Sequence, residues 1–274
     1  MLSLVKLVKG AIALNWRQLL LGALSLAIFV SAWQMYSWYL NANVSGYAAY
    51  VPYPGEVAEA FVDSFVTPAG TDGLVMSDHI IASLKRIFMG FVIALSIAVP
   101  AGLLMGSYIT AEGLGMPIVE IFRPIPPLAW IPLFLVVLGY LKGPAAIVFL
   151  GIFFPILFNV ILGVKRVDPI LIDAAKTLGS KKRHLFLKVV LPYTTPYLMT
   201  GIKVGLGIGW MCIVAAEMVG KYGGGVGFYI WDRSDIGQWD YVFAGIAMIA
   251  ILGILTTGVA SQVERRLYAW MGMK

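Results

Sequence analysis

Few side chains in this 274-residue sequence could do chemistry, and they lie far apart. There are two histidines, His79 and His184, and one cysteine, Cys212, which sits inside an apolar run. The topology derived below puts the histidines at opposite ends of the molecule, so they cannot share a metal. A lone cysteine supports neither a disulfide framework nor a thiolate metal site within one chain. Gly220-Lys221 is followed by tyrosine and lacks the earlier glycine of a phosphate-binding loop. Gly205-x-Gly207-x-Gly209 lies in an apolar run rather than after a strand, which argues against a dinucleotide site. The chain is therefore expected to catalyse no reaction, to hold no cofactor or metal, and not to hydrolyse ATP itself.

What remains are ionisable and aromatic residues in apolar surroundings. In a bilayer such charges are candidates for a transport path. Arg123 opens a stretch with four prolines, Pro124, Pro126, Pro127 and Pro132, and includes Trp130. Proline removes a helix hydrogen bond and clashes with the preceding turn. Broken backbone at membrane depth is tolerated against protein or a water-filled cavity. An irregular segment facing a pathway is expected here, with Arg123 either reaching the membrane surface or attracting an anion. Glu217 sits either at an interface or on the path, and Lys203 lies in the same span. Lys85 and Arg86 are expected to snorkel outward. Trp210 and Met211 are candidates to line a cavity or to pack between helices. Phe228 to Asp232, including Trp231, read either as an interfacial aromatic belt or as a re-entrant gate hinged on Gly223-Gly224-Gly225-x-Gly227.

The elements that must position these residues are membrane spans. Hydrophobic residues make up 60% of the chain and charged residues 12%. A soluble domain carries about a quarter charged residues, so this apolar surface needs a bilayer. Spans need about 20 apolar residues. Six candidates fit, roughly Leu19–Leu40, Ile80–Met105, Ile118–Leu141, Ala145–Val164, Pro192–Ala216 and Tyr241–Val263. The first is too long for the apolar core of a signal peptide and lacks a clear cleavage site, so it reads as retained. Met1 to Leu14 alternate apolar and basic positions, as an interfacial helix does.

With the N-terminus cytoplasmic, thirteen of the 20 Lys and Arg fall in cytoplasmic segments. Only Lys142, Lys221 and Arg233 fall outside. That bias orients the chain with both termini in the cytoplasm. The net charge of +6 thus reads as topology and not as nucleic-acid binding. Two parts are expected. Residues 1–78 hold the interfacial helix, the first span and an acidic outer segment, in which Pro54 starts a short helix. Residues 79–274 form the core.

The longest cytoplasmic loop, 165–191, is patterned. Asp168-Pro169 is an N-cap followed by proline at the first helical position. The helix runs from Pro169 to about Leu178, and Gly179 ends it in a left-handed turn. Ser180 can cap a second helix that feeds the fifth span through Leu191-Pro192. Around Ala174-Ala175, Leu171, Ile172 and Leu178 give the first helix an apolar face that water alone would not favour. A short helix of this kind can seat in a cleft of another protein.

Asp173-Ala174-Ala175, three residues, Gly179, nine residues and Val189-x-Leu191-Pro192 resemble the E-A-A-x3-G-x9-I-x-L-P loop of binding-protein-dependent ABC importer permeases. Asp173 and Val189 depart from it conservatively. Ser83-Leu84-x-Arg86 with Gly90, Arg123 to Pro132, and Ala216-Glu217 with Gly225 to Asp232 resemble its nitrate, sulfonate, taurine and bicarbonate branch. The resemblance implies an all-α membrane protein of the type I, MetI-like fold with six spans. It implies a multi-pass prokaryotic inner-membrane permease that moves a small oxyanion by alternating access. Its partners would be two ATPase subunits that bind the ATP, a second permease copy forming a homodimer, and an extracytoplasmic binding protein. Asp173, Ala174, Ala175, Gly179, Leu191 and Pro192 would couple it to the ATPase. The competing readings are an ATP-independent channel or secondary transporter, which would not need the loop helix, and an importer of another small organic solute.

Overall fold

The computed structural model describes residues 16–43, 50–68, 70–220 and 223–271, and among these every regular element is helical. Met1 to Leu14 lie outside the described residues. The elements run α1 (Trp16–Asn43), α2 (Pro54–Asp63), α3 (Met76–Ser107), α4 (Ile109–Phe122) and α5 (Ile131–Lys165). They continue through α6 (Pro169–Thr177), α7 (Lys182–Leu185), α8 (Leu191–Gly220), α9 (Val226–Asp235) and α10 (Trp239–Trp270).

Helix α5 is the spine. Its Ile147, Val148, Ile152, Ile156, Leu157 and Val160 are fully buried between α3 and α8. Both neighbours approach it through small residues. Gly90 and Gly102 of α3 lie against Val148 and Val160, while Gly201, Gly205 and Gly209 of α8 lie along Ile156 to Val148. A Cβ at Gly201 would come within 3.0 Å of backbone atoms of α5. This close approach is how membrane helices gain packing without a hydrophobic drive between them. Gly207, on the other side of α8, faces open space.

Five helical segments among the described residues are long and apolar enough to cross a membrane: Leu19–Asn43, Met76–Ser107, Pro127–Lys165, Lys182–Gly220 and Trp239–Ala269. The expected third span, Ile118–Leu141, is not one helix. Helix α4 ends at Phe122, and a four-residue 3-10 turn (Pro127–Trp130) leads into α5. Within α5, Gly139 breaks the helical geometry at φ 71° and ψ 176°. Pro124, Pro126 and Pro127 lack the N–H groups needed to continue α4. Hydropathy averages over such breaks, because an apolar run looks the same straight or folded.

The N-terminal elements sit at the edge. Helix α1 buries almost none of its apolar side chains within the chain. It is pinned near its C-terminal end, where Trp33 Nε1 and Ser37 Oγ both donate to the carbonyl of Pro52 at 3.1 Å. Helix α2 starts at Pro54 as its sequence suggests. It packs Val57 and Ala60 against Ala244 of α10.

Candidate functional site

Two regions at opposite ends of the bundle gather the residues singled out in the sequence. At the first, Asp168 caps α6, its Oδ1 accepting from Ile170 N–H at 2.9 Å. The other end closes as a Schellman motif: Gly179 N–H donates to the Lys176 carbonyl at 2.9 Å, and Ser180 N–H to that of Ala175 at 3.0 Å. Gly179 has φ +76°, where a side chain is strained. Lys181, not Ser180, is the cap of α7, and it makes no side-chain cap bond. Ser180 is drawn instead into the Schellman turn. Asp173 and Ala174 are exposed and Ala175 half-buried. Asp173 pairs at 3.1 Å with Lys176. Ile170, Leu171 and Leu178 are also exposed, so α6 presents apolar side chains with nothing over them. A π-helical turn at Phe186–Val190 leads into α8, where Leu191 and Pro192 form the first turn. Such turns are frequent where helices serve function.

At the other end, the structure departs from the expectation for Arg86. It does not snorkel. Its guanidinium is buried and meets Glu217 at 2.7 Å, with the two residues 6% and 3% exposed. An isolated charge in an apolar interior is costly, and pairing with further hydrogen bonds offsets that cost. Here the further bonds are numerous. Arg86 Nη1 and Nη2 donate to the carbonyls of Gly224 and Gly223 at 2.7 and 2.6 Å. Glu217 also accepts from Ser83 Oγ at 2.8 Å and from Gly227 N–H at 3.1 Å. Val226 N–H donates to Ser83 Oγ at 2.9 Å, and Gly225 N–H to His79 Nδ1 at 3.1 Å. Every residue from Gly223 to Gly227 is thereby held by a side chain of α3 or α8. Gly223, Gly224 and Gly225 all have positive φ, and a Cβ at Gly225 would lie within 2.6 Å of the Glu217 carboxylate.

His79, Ser83 and Arg86 were missed as site residues. The signal was present, because polar residues at i, i+4 and i+7 of an apolar span share one helical face. Glu217 was singled out, but its partner is invisible from its own segment, 131 residues away.

The remaining candidates are dispersed. Phe228 is buried and stacks on His79, and Trp231 on the same helix is partly exposed. Trp210 is buried, with Nε1 donating to Thr256 Oγ1 at 2.9 Å across α8 and α10. Met211, next to it, points outward at 72% exposure. Lys203 is paired with Glu264 at 2.7 Å. Arg123 is exposed, with its guanidinium carbon 4.6 Å over the Phe158 ring, and among the described residues no carboxylate lies within 4 Å of it. Pro126 is exposed and Pro127 half-buried. Trp130 joins Phe122, Ile125, Phe149 and Phe153 around an apolar cavity of about 230 Å³. Among the described residues no group of three or more His, Cys, Asp and Glu could hold a metal.

Outside the spans, hydrogen bonds from Thr67 and Tyr241, at 2.6 Å each, hold the Asp63 carboxyl below its usual range. Burial pushes the Tyr229 hydroxyl up.

Residues 98–268 match the family described as "Binding-protein-dependent transport system inner membrane component". The chain is 33% identical over 261 residues to the taurine transport system permease protein TauC of Escherichia coli, covering 94% of each. It is 32% identical over 240 residues to the nitrate import permease protein NrtB of a Synechocystis species, covering 85% of this chain and 83% of that one. Among solved structures, the MetNI methionine ABC transporter gives a TM-score of 0.59 at 21% identity, over 69% of this chain and 94% of the other. That likeness speaks for the fold.

Proposed function

The chain belongs to the family of inner-membrane components of binding-protein-dependent transport systems, and from that premise we propose how its parts serve import. It is a multi-pass inner-membrane permease subunit of an ABC importer, and it works with an ATPase and a substrate-binding protein carried on other chains. In our reading the assembly holds two ATPase subunits and two copies of this chain, and ATP is bound by the partners alone. Both termini and α6 face the cytoplasm, and α2 and α9 face outward. The chain crosses six times, the third crossing being α4, the 3-10 turn and the first two turns of α5.

The carrying observation is α6: a helix capped at both ends, bare on its apolar side, and followed by a single long helix that reaches the opposite end of the bundle. Ala174 and Ala175 allow close docking in an ATPase cleft, and Gly179 sets the turn that joins α6 to α7, which runs on through the π-helical turn into α8. Closure of the ATPase pair on ATP would then move α8 and open the path to the other side.

The cargo we favour is a small oxyanion: nitrate, bicarbonate, a sulfonate or taurine. Arg123 supports this choice. It lies beside Phe158, two turns or about 10 Å from the Lys165 end of α5. An unpaired cation at that depth favours water or an anion over lipid. Pro126, Pro127, Trp130 and Met211 accompany it on the path, with Trp210 behind them and Phe228, Trp231 and Glu217 at the outer mouth.

The test is uptake by proteoliposomes holding the intact assembly, with each anion offered through its binding protein. Arg123→Ala should slow anion uptake while Ala174→Cys still cross-links to the ATPase. Absence of an ATPase chain against residues 169–179 would end the proposal.

A further inference from the structure

We infer that His79, Ser83 and Arg86 are positioning residues of an outer gate, and that Glu217 is the part of that gate which moves. The inference rests on the reading of α6 as the ATPase contact.

Helix α9 is ten residues long and lies between glycines of positive φ, Gly223 to Gly225 on one side and Gly237 (φ 78°) on the other. It is a short rigid rod between two swivels. Its inward face is apolar, with Val226, Tyr229 and Ile230 in the hydrophobic core, and its C-terminal half adds polar contacts. Asp232 accepts from Thr71 N–H at 3.2 Å and from the Thr71 hydroxyl, and Arg233 Nη1 donates to Gln238 Oε1 at 3.0 Å. Such groups can exchange partners with water when a surface opens, whereas the apolar face of α9 costs free energy to expose and so favours the closed position.

The clamp on the 223–227 loop is divided between two helices. His79, Ser83 and Arg86 all belong to α3, and together they hold the backbone of Gly223 to Val226. Glu217 belongs to α8 and alone bonds to Gly227, while also binding Ser83 and Arg86. Helix α8 is continuous from Leu191, next to the loop that carries α6, to Gly220. Glu217 therefore sits 26 residues, about 39 Å, along one helix from the coupling loop. A displacement of α8 relative to α3 withdraws one carboxylate and breaks its bonds to Arg86, Ser83 and Gly227 together. Phe228, the next residue, stacks on His79 and would be uncovered.

The reporter is Phe228→Cys, at a position 7% exposed, in a chain whose one native cysteine, Cys212, is buried. The permease is reconstituted with its ATPase and binding protein, and labelling by a membrane-impermeant maleimide is timed with and without vanadate-trapped nucleotide. Trapping should change the labelling rate about tenfold, the shift expected when a minor state becomes a major one. Adding Ser83→Ala should raise the nucleotide-free rate several-fold while the thermal midpoint stays within a few degrees. A purely structural cluster would lower the midpoint and leave nucleotide dependence absent. Should Phe228→Cys fail to assemble, Ile230→Cys, 6% exposed on the same helix, carries the same reporter. Equal labelling of Ile230→Cys in both nucleotide states, with ATP-driven uptake intact, overturns the gate but not the function. Loss of ATPase binding in the unmodified chain overturns both.

Discussion

Substituting Gly179 separates a backbone role from a side-chain role, because a Cβ placed there would meet nothing within 4 Å. Any cost of Gly179→Ala comes from holding φ at +76°, about 1–2 kcal/mol for an L-residue in the left-handed region. That lowers the population of the closed turn by about five- to thirtyfold. Gly179→Asn should cost less, since asparagine visits this region more readily. Gly179→Pro fixes φ near −65° and removes the N–H that bonds the Lys176 carbonyl at 2.9 Å. A cost of about 3 kcal/mol or more makes the turn over a hundredfold rarer. If the turn aims α6 at the ATPase, ATP-driven uptake in proteoliposomes should fall in the order Gly, Asn, Ala, Pro. Membrane insertion, read by protease protection, should stay constant. Wild-type uptake by Gly179→Pro, or equal losses in Asn, Ala and Pro, would refute the reasoning.

Removing one member of the buried pair should be severe. Glu217→Ala strands Arg86 and should cost about 3–5 kcal/mol, lowering the thermal midpoint in detergent by on the order of 10 °C. The double change Arg86→Met with Glu217→Leu should recover most of it, and no recovery would deny that stranded charge is the cause. On α8, Gly201→Leu should destabilise by about 1–3 kcal/mol through overpacking on α5. Gly207→Ala, facing open space, should be neutral or stabilising by up to about 1 kcal/mol. Equal effects at the two positions would contradict the assigned faces. Asp63 has its folded pKa lowered, so its bonds to Thr67 and Tyr241 stabilise above the unfolded carboxyl value of about 4 and fade as pH falls through the lower folded value. Hydrogen exchange of α2 in wild type and Asp63→Asn should therefore differ at pH 7 and converge only once pH falls below the lowered folded value. A difference independent of pH would exclude the carboxylate.

Local rules in the sequence determined much of this protein. Apolar runs far longer than any soluble core requires announced the bilayer. Asp168-Pro169 and Gly179 marked both ends of α6 correctly, because capping depends on groups within four residues of the end. Proline spacing predicted an irregular stretch after Arg123. Tertiary structure decided the rest. The third span broke at Phe122 and again at Gly139, since an average over hydropathy cannot see where a backbone turns. Arg86 turned inward to Glu217 because desolvated charges must find each other, and no local signal names a partner 131 residues away. The sequence alone supplied a polar stripe on one helix and a glycine run near another. Only the packing of α3 and α8 on α5 brought them into contact, because interhelical contacts depend on which faces meet rather than on neighbours along the chain.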